Sequence, residues 1–225
     1  PLLALLFTYL YLRLIGISVL ASLFGAVSYG ISGFMTVWLE YNTVGHIMAW
    51  LPLQLISIEL IHQNSSRSIW GYILLTFSVA FSLLSGHPQV ALYAIFFCII
   101  YGIFRLKGKN KIWAFTFLSL GFGLTALQLL PGFELFRISA RANHTYEQMI
   151  RANLIQPWQT LMIFFPNLFG NPVSRTYWPT DTYVGKVTSI GLVPLFFLLS
   201  TLRLRKNTMV RFFMIATFII GLFIT

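Results

Sequence analysis

His87 and Gln89 stand in the run Ser85-Gly86-His87-Pro88-Gln89, two hydrogen-bonding side chains on either side of a proline. Between two apolar segments, such a pair either meets water and headgroups at a tight turn or lines a cavity near membrane depth. Glu134, Arg137 and Arg141 follow one another at spacings of three and four, with Phe133 and Phe136 alongside. On a helix these charges share one face. That face is either a solvated ion-pair stripe or, in the sharper reading, a place where Arg137 and Arg141 meet an anionic group, since a guanidinium grips phosphate in a planar, bidentate way. Further on, Pro166-Asn167-Leu168-Phe169-Gly170-Asn171-Pro172 is followed by Tyr177-Trp178 and Tyr183-Val184-Gly185. Flat rings suit the apolar face of a sugar and amides suit its hydroxyls. The same residue types also build the aromatic belt of a membrane interface. His46, His87 and His144 lack metal-ligand spacing, and His62 falls on the opposite side, so no metal is read. No cofactor is visible; ligand spacing gives a divalent metal no support.

The elements that hold these residues are apolar. Of the 225 residues 57% are hydrophobic and 9% charged, with a mean hydropathy of +0.79. A soluble domain carries about 25% charged residues, so this chain has too little polar surface to face water all round. The expected fold is all-α, a polytopic integral membrane protein. The apolar runs place membrane helices at 1–12, 18–38, 43–61, 69–85, 89–104, 112–130, 186–202 and 208–225, each near the ~20 residues that cross hydrocarbon. Pro1 and Thr225 both fall inside apolar runs; the expectation is that 1–225 is a membrane-domain fragment whose outer two helices are truncated. Cys98, alone and inside a run, reads as a packed thiol.

Charge orients the spans. Arg13, Arg67, Arg105, Lys107, Lys109, Lys111, Arg203, Arg205, Lys206 and Arg211, 10 of the 15 basic residues, fall in alternate connections, with Glu59 the acid near them. The positive-inside rule makes those connections cytoplasmic. The formal charge of +10 then reports topology and contact with anionic headgroups, and a nucleic-acid partner is not expected. Ala21, Gly25, Ser28 and Ser32 predict a small face on the second span for close packing. Pro52 predicts a kink in the third, and Trp38, Trp70 and Trp113 sit where belt residues sit. Gly86 is placed to close one helix and Pro88 to open the next.

The stretch 131–185 is too long for a bare connection and reads as an extracytoplasmic loop of short interfacial helices. Pro131 suits a first helical position. Thr145 with Gln148 suits a capping box, Glu147 with Arg151 an i,i+4 pair, and Pro157 opens a helix through Trp158 to Phe165.

Several motifs occur in one order. They are Ser32-Gly33-Phe34-Met35, Trp38-Leu39-Glu40, Gly45-His46, Trp50-Leu51-Pro52 and Gly86-His87-Pro88-Gln89, then Leu130-Pro131 with Glu134, Ser139-Ala140-Arg141, Pro166-Asn167, Phe169-Gly170-Asn171-Pro172 and Tyr183-Val184-Gly185. The succession resembles the YfhO-like family of bacterial membrane proteins, part of the GT-C superfamily of glycosyltransferases. The resemblance implies a multi-pass protein of the bacterial cytoplasmic membrane that takes a sugar from a polyprenyl-phosphate carrier and passes it to a cell-envelope polymer on the outer side. It also implies a catalytic acid in the first outer loop, expected upstream of Pro1, so no catalytic residue is assigned. Substrate contact is expected at His87, Gln89, Glu134, Arg137, Arg141, Asn167, Asn171, Trp178 and Tyr183. In the mechanism this suggests, Arg137 and Arg141 stabilise the leaving lipid phosphate and Glu134 orients them by ion pairing. Two other readings stay open: a transporter or flippase of lipid-linked saccharide, and a non-catalytic scaffold that binds it.

Overall fold

The computed structural model describes residues 1–139, 145, 155–187, 189–200 and 207–224. Among them the regular structure is helical, with no β-strand. The order is α1 (Leu2–Leu14), α2 (Val19–Gly30), α3 (Gly33–Val37), α4 (Val44–His62), α5 (Ser68–Leu84), α6 (Pro88–Arg105), α7 (Lys109–Leu124) and α8 (Ala126–Ile138). Then come 3-10 turns at Pro157–Ile163 and Tyr183–Gly185, followed by α9 (Leu192–Ser200) and α10 (Thr208–Ile224). The chain forms two compact units, one of residues 1–31 and 38–142, the other of residues 32–37 and 143–225.

The first unit is built round α4, which packs against α1, α5 and α6, while α2 leans on α1 and α7 on α5. By length and composition α4 and α6 are able to cross a membrane, and a third span results if the bent pair α7–α8 is one; α1, α2, α5 and residues 208–220 of α10 are apolar but shorter. Their outer faces carry Leu20, Trp70, Tyr93, Phe96, Trp113 and Phe115 exposed, side chains that suit hydrocarbon and its interface.

Inside the bundle, small residues set how near the helices come. A Cβ on Gly71 would stand 2.8 Å from the Ser57 carbonyl oxygen and 3.0 Å from the Ile61 nitrogen, and one on Gly121 would stand 2.8 Å from the Thr76 carbonyl oxygen. These are backbone atoms, so the helices themselves must move to admit a methyl. Gly71→Ala should therefore destabilise by about 1–3 kcal/mol through overpacking, against a helix-propensity gain of about 1 kcal/mol. Gly123→Ala, with open space around it, receives the gain alone. Thermal unfolding of the two variants in detergent checks this; equal midpoints would refute the contact.

Pro52 lies inside α4 and removes the amide that would have bonded to the Met48 carbonyl one turn back. The Tyr29 hydroxyl donates to that carbonyl at 2.7 Å. One helix thus repairs the backbone bond missing from another, as an apolar surround requires.

Four expectations change. The span 18–38 is two helices: α2 ends at Gly30, and Ser32 then caps α3 by accepting from the Met35 amide at 3.3 Å. The small face of α2 is Ser22, Ala26 and Gly30, which are buried, whereas Ala21 is exposed; Gly25 does meet α1, at Leu12. The helix expected to stop before Pro131 bends instead at Thr125, by 67°, and Pro131 lies inside α8. There the Thr125 hydroxyl donates to the Phe122 carbonyl at 2.9 Å, competing with the helical ladder just after two glycines, Gly121 and Gly123, that weaken it. Finally, the run expected to be helical from 186 turns helical only at Leu192, after Gly191 with φ +91°. The capping box on Gln148 and the Glu147–Arg151 pair lie outside the described residues.

Candidate functional site

The richest polar arrangement belongs to the second unit and centres on Asp181, the chain's only aspartate. Pro157 opens its 3-10 turn at the first position, where a missing amide costs nothing. Gln159, two residues on, uses both ends of its amide. Its Oε1 accepts from the Gln156 amide at 2.8 Å, closing a reciprocal cap, and its Nε2 donates to Asp181 Oδ2 at 2.6 Å. The Tyr177 hydroxyl donates to the other oxygen, Oδ1, at 2.9 Å. Lys186 Nζ stands 3.7 Å from Oδ2. Gln159 and Lys186 are buried, Asp181 partly so. A buried carboxylate needs this company, because an isolated charge out of water is costly. Burial first, and then the hydrogen bond to Asp181, raises the phenol pKa of Tyr177.

Beside these polar residues lie three rings. Trp158 and Trp178 stack with centroids 5.4 Å apart and planes 10° from parallel, and Phe169 meets both edge-on at 4.7 and 5.6 Å. The indoles remain accessible, Trp158 at 38% and Trp178 at 66%. Tyr177 packs edge-on against Tyr183 at 5.3 Å, and the Tyr183 hydroxyl donates to Asn167 Oδ1 at 3.0 Å. Polar contacts therefore join Lys186, Asp181 and Tyr177, and a ring contact between Tyr177 and Tyr183 links them to the Tyr183–Asn167 hydrogen bond.

The turn between them is shaped by Gly170 and Asn171. Gly170 has φ +83°, and a Cβ there would run into the Thr176 carbonyl. Asn171 Oδ1 accepts from the Ser174 amide at 2.9 Å and from its hydroxyl at 3.0 Å. Asn171 thus holds a turn, while Asn167 and Trp178 take part in the cluster.

The remaining expected residues belong to the first unit. His87 precedes α6 with its Nδ1 buried and unbonded, and Pro88 opens the helix at its first position. Gln89 is exposed and donates to the Tyr93 hydroxyl at 2.8 Å. Glu134 and Arg137 are exposed on α8 and form no ion pair with each other; Arg141 lies outside the described residues. Among the described residues no three His, Cys, Asp or Glu side chains gather as metal ligands would.

One buried charge in the first unit was not singled out as a candidate. Glu59 of α4, 3% exposed, accepts a two-pronged contact from Arg105 at 2.6 and 2.5 Å. Tyr101 donates to the same carboxylate, and its hydroxyl lies 2.9 Å from that of Tyr11. The C-terminal ends of α1, α4 and α6 therefore meet at one end of the unit, the end that carries Arg13 and Arg105. Comparison with family models, curated proteins and solved structures gives no match to the chain.

Proposed function

We propose that the chain is the membrane portion of a glycosyltransferase-like protein of the YfhO-like, GT-C type in the bacterial cytoplasmic membrane. In this reading about eight helices span the bilayer, the basic end of the first unit faces the cytoplasm, and 131–185 lies outside. The loop contacts a sugar carried on polyprenyl phosphate and destined for an envelope polymer. The observation that supports this most is the exposed Trp158–Trp178 pair, set beside a carboxylate and amides held by hydrogen bonds. Rings of this kind bury the apolar face of a pyranose, and fixed polar groups select its hydroxyls. The gathering of basic residues at one end of the first unit supports the orientation. Arg137, in the first unit, and Arg141 are proposed separately from the ring site as residues that meet an anionic phosphate.

The test uses the protein in lipid vesicles with a radiolabelled polyprenyl-phosphate hexose and envelope polymer. Transfer of label to polymer is expected, and Trp178→Ala should lower it about tenfold, the loss of roughly 1.4 kcal/mol of ring contact. Equal transfer by the variant would remove Trp178 from the site. Label that crosses the bilayer untransferred would replace the enzyme by a transporter.

A further inference from the structure

The two oxygens of Asp181 are bonded to the immediate sequence neighbours of the two stacked indoles. Gln159 follows Trp158 and binds Oδ2; Tyr177 precedes Trp178 and binds Oδ1. A single carboxylate therefore ties the 3-10 turn at 157–163 to the segment at 177–178, two stretches that share no secondary structure. Gln159 cannot swing away freely, because its other end closes the cap on Gln156. Tyr177 is likewise held from the side by Tyr183. The indoles, by contrast, are both partly open to solvent, and a ring pair at 5.4 Å gains only about 0.5–1.5 kcal/mol from its own geometry. That is too little to immobilise two loop segments, each of whose residues loses about 1–2 kcal/mol of backbone entropy on ordering.

We propose that Asp181 is a positioning residue. By bridging Gln159 and Tyr177 it fixes Trp158 and Trp178 as one rigid stacked pair, and the saccharide of the proposed reaction docks on the outer ring face of that pair. The second half rests on the proposed function; the first does not. Preorganisation of this kind raises affinity by removing the ordering cost from the binding step. Lys186 balances the charge that the bridge buries.

Fluorine NMR of fluorotryptophan-labelled protein in nanodiscs reads the stack directly, with Trp158→Phe and Trp178→Phe assigning the two resonances. In the wild type each is displaced by the ring current of its partner. In Asp181→Ala both should move to the positions of unstacked indoles. Asp181→Asn keeps one acceptor oxygen and should leave them between those limits. The other four tryptophans, Trp38, Trp50, Trp70 and Trp113, lie in the first unit and report only whether that unit remains folded. Where Asp181→Ala loses its fold, Tyr177→Phe, which removes one bond only, should give the intermediate position by itself. Unmoved resonances in a folded Asp181→Ala protein overturn the proposal. In parallel, the carrier-linked hexose is titrated into each protein. Affinity about tenfold weaker in Asp181→Ala supports the docking half, and equal affinity overturns it. A wild type that binds no saccharide but shows the stacked resonances sinks the functional reading and leaves the bridge standing.

Discussion

Glu59→Ala lowers the stability of the first unit by about 3–5 kcal/mol, the cost of removing one partner from a buried ion pair. Glu59 sits on the most enclosed helix, 3% exposed, and its carboxylate takes both prongs of Arg105 and the Tyr101 hydroxyl. Deleting it leaves a guanidinium without its anion and removes the carboxylate to which Tyr101 donates. Arg105 is 22% exposed and can turn its head toward the headgroups, as long basic side chains do, so the lower end of the range is expected. Glu59→Gln keeps an acceptor for Tyr101 and should cost less than Glu59→Ala. The double variant Glu59→Leu with Arg105→Met, which removes both charges, should recover much of the loss. Thermal unfolding in detergent gives the ranking. A Glu59→Ala loss below about 1 kcal/mol would mean that lipid and water screen the pair as they screen a surface one.

That pair shows what could be read from the chain and what could not. Apolar runs bounded by turn residues place α4, α5 and α6 to within one residue at each end, because span length and local breakers act over a few positions. Gly86 with φ +94° and Pro88 at the first position of α6 are local signals of the same kind. Pro157 opening a helical turn is another, although the turn is 3-10 in type. The breaks at Ser32 and Thr125 were missed for a related reason. Each depends on one hydroxyl competing for backbone bonds inside an otherwise continuous apolar run, and hydropathy does not register that competition.

The site was legible in its ingredients and not in its pairing. Asn167, Trp178 and Tyr183 carry aromatic and amide chemistry visible in the residue types. Asp181 does not stand out by type, since it is one acid in a loop of mixed charge. Its meaning comes from Gln159, 22 positions earlier, just as that of Glu59 comes from Arg105, 46 positions later. No period links such pairs. A usable hint was available: a lone aspartate and a lone acid among basic residues each need a partner when they are enclosed. Asn171, expected from its residue type to meet substrate, has its Oδ1 committed to a turn.

The same turn carries the second large effect. Gly170→Ala should abolish the stacked indole face while leaving the first unit intact. At φ +83° a side chain costs about 1 kcal/mol or more in backbone strain, and the added methyl would meet the Thr176 carbonyl, a backbone atom that cannot rotate aside. Overpacking of that kind adds about 1–3 kcal/mol. The strain falls on the segment where the Trp178 amide donates to the Phe169 carbonyl at 3.4 Å, the contact that joins the two sides of the ring cluster. A local loss of this size exceeds what the ring contacts return, so the turn opens rather than bears it. The expected result is loss of the ring-shifted tryptophan resonances, with the unfolding midpoint of the first unit unchanged and, on the proposed function, at least tenfold weaker saccharide transfer. Gly185→Ala is the control: its Cβ would meet only the Thr182 hydroxyl, at 3.4 Å, and both readouts should stay at the wild-type level. If Gly170→Ala keeps its shifted resonances, the Gly170–Thr176 contact does not set the loop, and the ring face is held by the Asp181 bridge alone.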